Sequence, residues 1–147
     1  MFETKLYAGW RDMDFNAHMG NTAYLDKAVD VRMTFFAAQG FTMAKFTELR
    51  FGPVVMRDEV DYYREIGLLE PVRGTLALAG LADDGSRFTL RNEFFVADGK
   101  LAARVTSTGG WLDLAARRLI AAPEPVLAAL RALTRTDDFQ VLKSSVR

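Results

Sequence analysis

The chain has 147 residues, half of them apolar, enough for one domain with its own core. Nineteen basic and nineteen acidic residues cancel, and Arg117-Arg118 is the one adjacent basic pair, so nucleic acid is not an expected partner. Without cysteine and with a single histidine, disulfides, cysteine nucleophiles and multi-histidine zinc sites are excluded, and the sequence calls for no metal or cofactor.

The first residues, Met1 to Lys5, lack the basic-then-apolar pattern of a secretion signal, and no apolar run approaches the roughly 18 residues that cross a bilayer. The expected location is therefore the cytoplasm, with no membrane partner. Residues 2–9 alternate (Phe2, Thr4, Leu6, Ala8 against Glu3, Lys5) and predict a strand. A polar loop from Arg11 to Gly20 follows. Asn21 is placed to cap a helix, since its side-chain oxygen can accept an orphan backbone N–H. Tyr24, Leu25, Ala28, Val31, Phe35 and Phe36 then form one helical stripe, which Gly40 ends. This is the one long helix expected.

From residue 46 the period changes to two. Strands are predicted after Gly52-Pro53, around Leu76-Ala77-Leu78, over Phe88 to Val96 and over Leu101 to Leu114. Asp83-Asp84-Gly85 and Asp98-Gly99 separate the last three, which should form an antiparallel meander with type I′ turns. Pro123 and Pro125 open a short amphipathic helix, and residues 135–147 read as a polar tail. The expected domain, residues 1–134, is α+β: a curved antiparallel sheet of five or six strands around one long helix. Such a sheet keeps an open face or edge, which a homodimer or homotetramer would cover.

The chemistry concentrates in Trp10-Arg11-Asp12-Met13-Asp14-Phe15-Asn16-Ala17-His18-Met19-Gly20-Asn21, just before the long helix. A helix start offers free N–H groups and partial positive charge, which suit a developing oxyanion. A carboxylate just upstream can attack a carbonyl or deprotonate water. The structural alternative is that Asp12 and Asp14 make Asx turns and His18 packs the loop.

Asp12-Met13-Asp14, then His18, Asn21 and Tyr24-Leu25, resemble the signature of the 4-hydroxybenzoyl-CoA thioesterase family. Asp30 and Arg32 on the helix, Val60 to Arg64, Phe94 to Arg104 and Pro123-Glu124-Pro125 resemble further family segments in register, over about residues 3–133. The resemblance implies a hot-dog fold that hydrolyses an acyl-CoA thioester. It implies Asp14 as nucleophile or general base, the Asn21 N–H as oxyanion donor and His18 in a positioning role. Phe15, Tyr24 and Arg64 are the candidate substrate-binding residues, and the site is expected between two subunits. Gly20 stands where many relatives carry Asn, and Glu65-Ile66 where they often carry Pro.

Arg32 falls within the apolar stripe, so it should be a buried structural cation needing a carboxylate or several carbonyl partners, with contact to CoA as the second reading. Asp26 and Asp30 are rival catalytic acids on the polar face, where solvation explains them. Arg57, Arg64, Arg91 and Arg104 are candidates for CoA phosphates. Two other functions are weighed: a hot-dog dehydratase or hydratase using His18 with Asp26 or Asp30, and a non-catalytic acyl-CoA binder. The glycine- and proline-rich segment expected around a dehydratase histidine is missing.

Overall fold

The computed structural model describes residues 1–146. Strand β1 (Phe2–Tyr7) alternates as its sequence does, with Phe2 and Leu6 packed on the core. The chain then passes through a 3-10 turn at Trp10–Asp12 into helix α1 (Ala23–Ala38) and a short helix α2 (Met43–Leu49). Strands β2 (Phe51–Tyr62), β3 (Pro71–Ala82), β4 (Arg87–Val96) and β5 (Leu101–Asp113) follow, then β6 (Arg118–Ile120), α3 (Glu124–Ala132) and β7 (Arg135–Leu142).

The sheet order is β1-β3-β4-β5-β2, with β6 added to β5 and β7 to β3. The meander β3-β4-β5 is antiparallel as expected. β2, though first of the four in sequence, closes the far side by pairing with β5, and no described strand pairs with its other edge. Register shifts put an extra residue in β2, β3 and β5 and bend those strands. At the β2 shift the backbones approach so closely that a Cβ on Gly109 would collide with the Val54 carbonyl oxygen. α1 packs against β1, β3 and β5 and buries Ala28, Val31, Phe35 and Phe36. This is a curved sheet on one long helix. No described helix is long and apolar enough to cross a membrane.

Arg32 enters this core from α1 and is 7% exposed. Its Nε donates to Asn92 Oδ1 at 2.8 Å and its Nη2 to Ser107 Oγ at 2.6 Å. Ser107 in turn donates to Asp58, so the carboxylate reaches the cation through a hydroxyl rather than directly. Burial lowers the guanidinium pKa to about 10, partly opposed by the Asp58 charge, and Arg32 stays a cation at neutral pH.

Several expectations are corrected. Among the described residues the sheet has seven strands, not five or six. Within the polar segment after residue 134, residues 135–142 form β7, which runs parallel to β3. The reason is geometric: β1 covers β3 only as far as Leu76, and β7 pairs with the edge left from Leu78 to Ala82. Arg91 fixes it through two hydrogen bonds to Asp138, at 2.9 and 3.0 Å. Residues 43–49 are helical, capped by Thr42, whose hydroxyl accepts the Lys45 N–H, and stopped by Arg50 in the left-handed region. Asn21 does not cap α1. Thr22 precedes the helix with helical dihedrals, because a turn closed by Ala23 N–H on Gly20 C=O already leads the chain in. Both hairpins form where expected, but only Gly85 and Gly99 have positive φ, so the turns are not type I′. Asp84 and Asp98 instead accept the N–H two residues on, in longer loops.

Candidate active site

The loop between β1 and α1 is tied down at both ends. The Asp12 carboxylate accepts the Gly9 N–H at 2.7 Å and meets Lys27 Nζ on α1 at 3.0 Å. Burial alone would raise the Asp12 pKa, but these bonds outweigh it and hold the carboxyl below its usual range. Met13 and Met19 pair across the loop, and Met19 N–H donates to the carbonyl of Ile66, whose side chain is fully buried. Asp12 thus anchors the loop.

Between those anchors the chain makes one tight turn. Asp14 N–H donates to His18 C=O at 3.0 Å, and Ala17, at φ 67°, donates to Asp14 C=O at 3.2 Å. Asp14 Oδ1 accepts the Asn16 N–H at 2.8 Å, so the Asx-turn reading holds for that oxygen. Asp14 Oδ2 has no hydrogen-bond partner among the described residues. It faces Gly20, where an added Cβ would lie 3.9 Å away, and Gly20 leads directly into the start of α1.

Asp14, His18, Asn21, Tyr24 and Arg64 line one hollow of about 340 Å³, together with Tyr62 and Glu65. The N–H of Asn21 has no acceptor among the described residues, and its carbonyl accepts the Tyr62 hydroxyl at 3.0 Å. His18 Nδ1 lies 3.3 Å from the Met19 carbonyl oxygen and Nε2 lies 4.0 Å from Glu65. Tyr24 is buried, with its ring edge-on to Tyr62 at 5.2 Å and to Phe94 at 6.3 Å. Burial first, then the neighbouring Tyr62 and the charges of Glu70, Asp14 and Glu65, push its hydroxyl pKa up to about 12, so it can donate but not act as a base at neutral pH. Arg64 stands at the rim, 3.8 Å from Asp98.

Phe15 is not in this hollow. It is 99% exposed at the loop tip and lines a neighbouring hollow of about 510 Å³ with Trp10, Met13 and Leu68, which meets the first at Asp14. Asp26 and Asp30 are exposed and line neither. Arg57, Arg91 and Arg104 pair with Glu59, Asp138 and Glu93 and also line neither. Tyr62 and Glu65 carry no signal in the loop motif. Their place depends on β2 pairing with β5 so that Tyr62 lies opposite Ala103, a register that local spacing does not reveal.

Comparison with known proteins bears on this arrangement. A Staphylococcus aureus protein solved in complex with CoA superposes with a TM-score of 0.82 at 21% identity, covering 95% of this chain and 89% of that one. A 1,4-dihydroxy-2-naphthoyl-CoA thioesterase from Synechocystis gives 0.80 at 15% identity, covering 90% and 96%. A gentisyl-coenzyme A thioesterase gives 0.78 at 15% identity, covering 88% and 99%. These likenesses are of fold, and the fold is the hot-dog. No curated protein sequence matches the chain. The profile of the thioesterase-like superfamily matches residues 8–130, from the end of β1 through α3. The chain, with its loop carboxylate at the start of α1, belongs to the thioesterase-like superfamily.

Proposed function

We propose that the protein hydrolyses an acyl-CoA thioester to the free acid and CoA, with Asp14 as its catalytic carboxylate. One observation carries the reading: Asp14, whose Oδ2 has no hydrogen-bond partner among the described residues, lines the same hollow as Asn21, whose N–H has no acceptor among them. Asp14 either attacks the thioester carbonyl, giving a mixed anhydride that water opens, or deprotonates the water that attacks. In both routes the carbonyl oxygen gains negative charge as the new C–O bond forms. The Asn21 N–H and the positive end of α1 stabilise it there. The C–S bond then breaks and the electron pair leaves with sulfur. The thiolate takes its proton from protonated Asp14 in the water route. In the anhydride route it takes one from solvent, and the water that opens the anhydride releases one in turn. Tyr24, protonated throughout, supplies a donor, and His18 orients the substrate. The thioesterase names of the structural relatives support this class of substrate.

A second copy of the chain completes the site in this proposal. The free edge of β2 ends at Tyr62, which lines the hollow, and Phe15 offers an exposed aromatic ring beside Asp14. The test is thiol release from a panel of aromatic, short, branched and long-chain acyl-CoAs, wild type beside Asp14→Asn. Release that falls at least about 10²-fold in the variant, with the fold intact, supports the reading. Release that survives the substitution, or none from any member, defeats it.

A further inference from the structure

Asp14 makes no hydrogen bond to α1 among the described residues. Its N–H, carbonyl and Oδ1 are engaged by His18, Ala17 and Asn16, all inside the loop. Where Oδ2 stands relative to the Asn21 N–H is therefore set by other loop residues. Asp12 supplies two of the ties. Its carbonyl accepts the Gly20 N–H at 2.8 Å, just ahead of the helix. Its Oδ2 meets Lys27 Nζ at 3.0 Å, on the second turn of α1. Among the described residues this is the only side-chain hydrogen bond or ion pair that joins residues 10–20 to α1.

Lys27 stands where an apolar residue would continue a row. Ala23 and Val31, four residues to either side on the same helix face, are buried. The cation needs another reason, and Asp12 is the one carboxylate within its ion-pair reach among the described residues. The Lys27 and Asp12 side chains are 18% and 19% exposed, and no other ion pair among the described residues has both partners so covered. Exposed pairs hold little, because water and salt screen them and long side chains resist ordering; a covered pair keeps its geometry better. Lys27 is not among the residues that line the hollow at Asp14, so its influence on the chemistry there passes through Asp12.

We propose that Lys27 is a positioning residue for the hydrolysis: clamped on Asp12, it fixes the loop against α1 and so holds Asp14 in place relative to the Asn21 N–H. This rests on the thioesterase reading. Without the ammonium, Asp12 Oδ2 keeps only the Gly9 N–H, and no side-chain bond among the described residues ties the loop to the helix. The reacting carboxylate and the oxyanion donor then sit on two segments joined by backbone bonds and packing, free to shift against each other. Binding of the substrate does not need that alignment; formation of the new C–O bond does.

The experiment measures kcat and KM for thiol release by wild type, Lys27→Met, Lys27→Arg, Asp12→Asn and the Lys27→Met/Asp12→Asn double variant. Urea midpoints and deuterium exchange are taken on the same samples. Lys27→Met keeps the apolar stem and drops the charge, and Asp12→Asn keeps an oxygen for the Gly9 N–H. Since misplacing reacting groups by about 1 Å can cost about 10²-fold, loosening this one brace is expected to cost about tenfold in kcat and to leave KM within about twofold. Lys27→Arg should regain most of the kcat. The double variant should lose no more than the worse single one, because both substitutions remove the same contact. Exchange should quicken over residues 10–20 alone. Wild-type kcat in Lys27→Met, losses that multiply in the double variant, or a loss that comes with a lower urea midpoint and faster exchange across the sheet overturns the proposal. No turnover by wild type defeats the thioesterase reading and this one with it; turnover that Lys27→Met keeps in full defeats this one alone.

Discussion

The two oxygens of Asp14 do different work. Oδ1 closes the Asx turn that shapes the loop, and Oδ2, without a hydrogen-bond partner among the described residues, is the oxygen that the proposed hydrolysis uses. Replacing Asp14 by Ala therefore removes a turn acceptor as well as the reactive oxygen, whereas Asn keeps the acceptor. His18 holds only a long contact to Met19 and a 4.0 Å approach to Glu65, too loose for a committed acid–base pair. His18→Ala should cost less in kcat/KM than Asp14→Ala when both are measured on one acyl-CoA; the reverse ranking would make histidine the central base. The Asp14 loop was legible because its residues are close in sequence and lead straight into a helix. The Tyr62 contact was not, since 41 residues separate it from Asn21.

Between elements, the buried cation of α1 is the main polar fastening. Truncation of Arg32 would leave the buried Asn92 Oδ1 without a donor among the described residues and empty the space of the guanidinium, while Ser107 keeps its bond to the exposed Asp58. Arg32→Ala should lower stability by about 3 kcal/mol in urea unfolding. Arg32→Lys should recover part of that loss, because one ammonium cannot reproduce the forked geometry. A cost near zero for Arg32→Ala would mean that α1 is held by apolar packing alone. The burial of Arg32 followed from its phase in the stripe; its partners, on β4 and β5, did not.

β7 is fastened differently, at the surface. Hydrogen bonds from Arg91 hold the Asp138 carboxyl well below its usual range. Because the folded state has the lower pKa, the contact contributes stability at neutral pH and loses it as pH falls below the ordinary carboxylate range, about 4. Amide exchange over Gly80–Ala82 should therefore quicken below that pH, and Asp138→Asn should show less of the acid-induced change. Equal acid dependence in both proteins would assign it to other carboxylates. β7 escaped the sequence reading because Thr136 to Gln140 is mostly polar and only one β3 edge, already half used by β1, accepts it. α2 escaped it because seven residues give barely two turns of periodicity.

At the scale of the molecule, element order and the meander could be read from period and turn residues, but which strands became neighbours could not. The placement of β2 beside β5 leaves a twelve-residue strand on an open edge, carrying Arg57, Asp58, Glu59 and Asp61. Charges of this kind discourage indiscriminate strand addition. A self-association that uses this edge must match them. Gel filtration and light scattering should find no monomer at micromolar concentration; an active monomer would remove the second copy from the site.

The Tyr62 hydroxyl also gives that open edge leverage. It grips the carbonyl of Asn21, in the turn that aims the α1 start at the hollow. A neighbour that straightens or twists the end of β2 therefore pulls on the turn that presents the Asn21 N–H. If the chain assembles through this edge, assembly and alignment of the proposed oxyanion donor are one mechanical event. A protomer on its own would keep every candidate residue and still hold the donor under different strain.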